Sequence, residues 1–542
     1  MKLFILSFFS LVLLSSCMKG ETVDRIIHNA SIHTMVDGEN VQQAMAISEG
    51  KIVEIGPDRQ ILNKYHADEI IDAGGRDIYP GFTDAHGHLF SYAQQKLSVN
   101  LFGLSSMKEL LTACEEYRKK TKRNFIIGRG WDQSLWGTSE MPTNELLNEL
   151  FPDVPVCLYR VDGHALIAND FLLKKAGITV NSKVEGGKIH TSNGRLTGLL
   201  VDNAMSLVEY FSPKFSDKDI ISTIIAIQQE LFAYGITGVH EAGIEFQHIS
   251  FLKNIIDNNG FKLNVYAMLV PSEENIAFAK KNGIYAYKNL SIRSFKVMAD
   301  GALGSRGALL KKPYEDDHNH HGLLVSDMKK MRRIALLALD LDYQMNTHCI
   351  GDSANAMVLE LYRKVYQVKK DHRFRIEHAQ IVDPKDFVKF SQYGVMPSVQ
   401  PTHAVSDQRW VENRIGKNRL KGAYAYATLI KQYGMLALGT DFPVELTNPF
   451  LTIHAAVQRM NAKNEPIDGF LKGEALTLNE TLKGMTIWAA FAAFQEKERG
   501  TLETGKWADF AIFEKPVQSK PQFEENFSWM TFISGEKVYA AE

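Results

Sequence analysis

Eight strand-like runs punctuate the middle of the chain: "YPGFTDAH", "YGITGVHEAG", "FKLNVYAMLV", "IRSFKVMADG", "DYQMNTHCIG", "RFRIEHAQ", "GVMPSVQPTH" and "MLALGTDFP". Helical stretches such as "DKDIISTIIAIQQELFAY", "DMKKMRRIALLALDLD", "SANAMVLELYRKVYQVKK" and "DPKDFVKFSQY" lie between most of them. Short strand-like runs that alternate with helices call for a parallel sheet covered on both faces. Eight such units predict an α/β fold, a (β/α)8 TIM barrel. A doubly wound sheet is the structural alternative, but eight strands with polar ends favour the barrel.

Between the first and second runs lie roughly 145 residues, far more than a βα loop requires. "FIIGRGWDQSLW" and "PVCLYRVDGHALIAND" within them read as strands with polar ends. This predicts an inserted cap subdomain over the barrel mouth, residues 91–230 of a barrel spanning 79–496. The two ends of the chain read differently. "RIIHNASIHTM", "AMAISEGKIVEIG" and "EIIDAGGRDIYP" near the start, and "GTLETGKWADFAIFEK" and "WMTFISGEKVYAAE" near the end, are short strands separated by turns. One β-sandwich built from 22–78 and 497–542 accounts for both.

The first residues form a separate segment. Lys2 precedes an apolar run of 12 residues, Leu3–Leu14, too short to span a bilayer comfortably and suited to the h-region of a secretory signal. Leu14-Ser15-Ser16-Cys17 resembles a bacterial lipobox. Residues 1–17 are therefore expected to be a lipoprotein signal, with lipidation at Cys17 and an exported, membrane-anchored protein. The net charge of −2 and the absence of a basic tract argue against nucleic acid as a partner. Cys114, Cys157 and Cys349 show no close pairing and read as buried small hydrophobes.

The C-terminal ends of barrel strands converge on one face. The first run places His86 and His88 there, two apart and so on one side of a strand. The fourth adds Lys296, the fifth His348, the sixth His378 and the eighth Asp441. Neutral imidazoles and a carboxylate suit zinc and neighbouring transition metals. Gly87 is expected to let the chain bend close past the metals. Lys296 needs its own account, because an ammonium has no lone pair. Burial beside positive charge lowers its pKa, and a neutral amine combines with CO₂ to form a carbamate, an anion able to bridge two cations. An ion pair of Lys296 with Asp300 or Glu377, or direct contact with substrate, is the alternative.

With these residues in place, the chain resembles the amidohydrolase superfamily, within it the YtcJ-like branch that includes N-substituted formamide deformylases. The motifs that carry the resemblance span the chain after the signal: "IIHNASIHTM", "IYPGFTDAHGH", "GRGWDQSLW", "DGHALIAND", "FKVMADGALGSR", "THCIGDSA", "RIEHAQ", "LGTDFP" and "GTLETGKWADF". The resemblance implies two divalent metal ions, zinc foremost, held by His86, His88, Lys296, His348, His378 and Asp441, with carboxylated Lys296 as bridging ligand. It implies hydrolysis of a non-peptide C–N bond, an amide or formamide, by a metal-bridging hydroxide, with Asp441 as general base and then acid.

Substrate contacts are expected from Trp131, Asp132, His164, Arg306 and His403. Arg306 or His403 would favour a substrate with an acceptor group such as a carboxylate. The expected partners are a small-molecule amide, the membrane through the lipid anchor alone, and, as an option, a second copy in a homodimer. A deaminase or cyclic-amide hydrolase on the same scaffold, and an inactive solute-binding lipoprotein, are the competing functions. A bridging lysine and retention of all six site residues weigh against them. "EDDHNHHG", with His318, His320 and His321, reads as a solvated loop.

Overall fold

The computed structural model describes residues 20–541 except 39, 139, 213, 259, 522, 524 and 525. The expected signal 1–17, with Cys17, lies outside the described residues. Among the described residues no helix is long and apolar enough to cross a membrane.

Eight parallel strands follow one another around a single sheet in chain order. They are β1 (Phe82–Gly87), β2 (Ile236–Ile244), β3 (Asn264–Leu269), β4 (Leu290–Met298), β5 (Gln344–Cys349), β6 (Arg375–His378), β7 (Met396–Val399) and β8 (Ala437–Leu438). β5, β6 and β7 are buried at every residue, as a barrel with packed lumen and helical jacket demands. The helix Asp217–Ala233 shows why the jacket holds. Ser216 caps it by accepting from the Asp219 amide, and Ile220, Ile224, Ile227 and Leu231 form its buried stripe. Each such side chain contributes roughly 1.5–3 kcal/mol when fully buried.

The barrel is nearly closed, and its seam has a construction of its own. β8 and β1 end the sheet without sharing a ladder. The Asp84 carboxylate of β1 instead accepts from the Thr440 hydroxyl at 2.6 Å and the Thr440 amide at 3.1 Å. The Asp441 amide donates to the His86 carbonyl at 2.7 Å, and the His88 amide to the Phe442 carbonyl at 2.8 Å. Gly87 sits inside this seam. A Cβ on it would stand 2.3 Å from the Phe442 ring, so its missing side chain makes room for an aromatic neighbour.

The excursion after β1 carries a six-stranded sheet between Val99 and Asp202 with its own apolar cores. At the edges of the stretch 91–230, the helices Leu89–Leu97 and Asp217–Ala233 pack on each other and belong to the barrel's helical ring. The termini form the sandwich. A four-stranded sheet from the N-terminal segment faces a five-stranded sheet in which Asp77–Pro80 pairs antiparallel with Phe510–Phe513. Ile27, Met45 and Ile52 pack there against Ile78, Phe510 and Phe532. Cys114, Cys157 and Cys349 are buried free thiols, as read from the sequence.

Candidate active site

The strand ends bring His86, His88, Lys296, His348, His378 and Asp441 together. His88 Nε2 lies 3.1 Å from Asp441 Oδ1, and His86 Nε2 lies 3.6 Å from the same oxygen. Lys296 Nζ is 3.1 Å from His86 Nε2. The His378 ring stands 4.8 Å from that of His86 and 4.6 Å from that of His348, centroid to centroid. His378 and Asp441 both adopt left-handed backbone, with φ of 74° and 59°. Non-glycine residues held in this region are a feature of functional sites.

Two of the imidazoles are held by the nitrogen that faces away from the cluster. His86 Nδ1 bonds Glu377 at 2.6 Å, and His378 Nδ1 bonds Gln400 at 2.7 Å. Glu377 is in turn ion-paired to Arg375 at 2.7 Å, within a fully buried strand. Such partners orient metal-binding histidines and set their tautomer. "RIEHA" carried this signal, since Arg375 and Glu377 share one strand face; the sequence reading named Glu377 only as a partner for Lys296.

Burial, with Lys296 close by, pushes the His86 imidazole down to about 4. Burial likewise drives His348 and His378 well below their ordinary value. These rings are neutral and keep lone pairs to donate. Burial also lowers the Lys296 amine, against the pull of Glu377 and Asp441. The ion pairs that compete with carbamate formation are not made. Among the described residues no carboxylate lies within ion-pair distance of Lys296. Asp300 is occupied by the Leu309, Ile350 and Gly351 amides, and Glu377 by Arg375 and His86.

The donor set fits a metal. His86, His88 and Asp441 form one triplet, and His378, His403 and Asp441 another, and within each triplet the donor atoms lie within 4.8 Å of one another. The Nε2 atoms of His348 and His403 are buried without a hydrogen-bond partner, a costly state that coordination relieves. His403, expected as a substrate contact, therefore joins the donor cluster, 3.7 Å from Asp441.

Two cavities meet at this cluster, of about 290 and about 350 Å³. His164, His348, His378 and Asp441 line both. His164 comes from the excursion. Burial opposes its charging, but the Asp202 carboxylate 2.7 Å from Nδ1 more than offsets this and raises its pKa. Asp132 lines the first cavity but is ion-paired to Arg160 at 3.0 Å and to Arg409 at 3.3 Å.

Two expected contacts are corrected. Trp131 is fully buried in the core of the excursion, its Nε1 donating to the Leu158 carbonyl at 2.7 Å. A bulge at Gly130, which has φ 114°, turns it inward. Arg306 lines neither cavity and pairs with Asp316 at 3.0 Å. In the histidine-rich loop, His320 and His321 bond the Arg306 and Leu310 carbonyls.

The fold and the site have counterparts. An amidohydrolase family model matches residues 69–539. The chain is 31% identical to the putative amidohydrolase YtcJ of Bacillus subtilis (strain 168) over 499 residues, covering 90% of this chain and 93% of that one. It is 24% identical over 514 residues to the N-substituted formamide deformylase of Arthrobacter pascens, covering 91% and 93%. An uncharacterized metal-dependent hydrolase from Pyrococcus horikoshii OT3 superposes with a TM-score of 0.74 at 28% identity, covering 92% of this chain and 99% of that one.

Proposed function

The chain belongs to the amidohydrolase family, and on that premise we propose that it is a metal-dependent hydrolase of a C–N bond other than a peptide bond, in an amide or formamide. The observation that carries this reading is the place of Asp441. Its carboxylate is shared by both donor triplets and borders both cavities. The formamide deformylase among the relatives supports the bond class.

In this reading His86, His88, Lys296, His348, His378 and Asp441 hold two divalent ions, zinc first, with His403 as a further donor. The ions supply Lewis acidity to the carbonyl and lower the pKa of water. Lys296 enters as a carbamate: the neutral amine forms an N–C bond to CO₂ and releases a proton, leaving an anionic oxygen donor. Asp441 accepts the proton of the attacking water and delivers it to the departing nitrogen. Glu377 and Gln400 keep His86 and His378 aimed. His164, oriented by Asp202, lies against the substrate space. Lipidation at Cys17, carrying the enzyme to a membrane surface, belongs to the same proposal.

The test is hydrolysis of a panel of N-formyl and N-acyl amides by wild type and Asp441→Asn. General acid–base catalysis contributes roughly 10²–10⁴-fold, so turnover should fall by at least about 100-fold while the circular dichroism is retained. Near wild-type turnover in a folded variant would overturn the role.

A further inference from the structure

The strand Ile126–Trp131 of the excursion carries two side chains with opposite fates. The bulge that turns Trp131 into the core leaves Arg129 facing the larger cavity, alongside His88, Lys296 and Asp441. Gly163, with φ 73°, gives the guanidinium its place: a Cβ there would stand 2.7 Å from Nη2 of Arg129.

This guanidinium has no direct ion pair among the described residues, although Asp441 and Asp162 act on it at longer range. Its Nε is buried without a hydrogen-bond partner. Among the described residues no carboxylate lies within ion-pair distance of it. The other arginines lining the cavities are served: Arg160 by Asp132 and Asp162, and Arg409 by Asp132. Asp202 is committed to His164. The side chain as a whole is half-buried in the cavity wall, where an arginine keeps its charge and gains from an anion paired to it. Ions on the neighbouring ligand set would add positive charge and deepen the deficit. Asp162 is taken by Arg160 and Asp441 by the histidines, so a carboxylate from outside the chain would be the first to pair directly with this fork. A planar fork of five donors matches a carboxylate in two parallel hydrogen bonds.

We propose that Arg129 binds a carboxylate of the substrate, so that the enzyme selects amides bearing an acid group close to the scissile bond, N-acyl amino acids as a class. The role expected of Arg306 thus falls to a residue two positions before the motif's tryptophan. The inference rests on the amide-hydrolase reading above for the bond cleaved, and on Arg129 alone for the carboxylate.

Matched pairs that differ only in the acid group provide the test: N-acetylphenylalanine (both enantiomers) against N-acetylphenethylamine, and N-acetylleucine against N-acetylisopentylamine. The readout is the ratio of kcat/KM for acid over neutral partner. Wild type should favour the acid. In Arg129→Met that ratio should fall roughly 10- to 100-fold, as expected for lost hydrogen bonds to a charged group, with most of the change in KM. Arg129→Lys, which keeps the charge without the fork, should retain part of it, and it stands in if the methionine variant does not fold. Calorimetric titration of the same compounds into zinc-loaded Asp441→Asn, with and without Arg129→Met, reads the preference without turnover. No acid preference in wild type, or a ratio unmoved by the substitution at equal metal content, overturns the inference. An Arg129-dependent preference in the titration with no amide cleaved upholds it and removes the amide-hydrolase reading instead.

Discussion

His86 can lend a lone pair because Glu377 takes its other nitrogen, and Glu377 stays ionised because Arg375 is beside it. Removing one member of such a chain weakens ligation without touching a ligand. Glu377→Gln should lower zinc affinity roughly 10- to 100-fold, read by competition with a fluorescent chelator; unchanged affinity would show that the carboxylate does not orient the ring. Gly87→Ala is a different residue-scale test. The added methyl meets the Phe442 ring in a packed seam, so stability should drop by about 1–3 kcal/mol, measured by denaturant unfolding. A neutral outcome would mean that the seam relaxes freely. The six strand-end residues were legible because a barrel sends strand ends to one face, a rule that needs only the order of strands. Arg129 and Trp131 were not, because strict alternation puts them on one face. Their separation depends on the bulge at Gly130, which no spacing rule reveals. Arg306 was misread for a related cause: its partner Asp316 lies ten residues on, across a loop whose path local sequence leaves open.

At the scale of elements, the excursion behaves as a small domain with one wall in the active site. Its strands Val99–Asn100, Ile126–Trp131 and Val156–Arg160 pair in parallel across long connections. Two of its runs were recognisable as strands, but the parallel half of the six-stranded sheet was not, since parallel pairing over such separations leaves no local pattern. Trp131→Ala removes a fully buried indole and its hydrogen bond. The expected cost is about 3–5 kcal/mol, appearing as an earlier unfolding transition of the excursion and as protease cleavage within 99–202. A single unshifted transition would show that the cap does not depend on this core. The barrel strands were easier to read. Their regular alternation with helices marked them, and the sandwich strands stood out by their glycine and asparagine turns.

For the molecule as a whole, the ligand set draws on β1, β4, β5, β6 and the turn after β8, so bound ions tie together most of the barrel's circumference. A ligand that binds only the folded state stabilises it by about 4 kcal/mol at a thousandfold excess over its dissociation constant. Stripping the protein with a chelator should therefore lower its melting temperature, and zinc with bicarbonate should restore it. Melting that ignores both treatments would separate the histidine cluster from metal binding altogether.

The seam carries a consequence for how the protein comes into being. His86 and His88 are made early, but Asp441 and Thr440, which close the ring onto Asp84, lie some 350 residues later. A chain still being synthesised holds the histidines without the carboxylate that completes them. Reactivity is thus switched on by the last barrel strand, and a polypeptide cut short anywhere before it is inert however much of its architecture has formed.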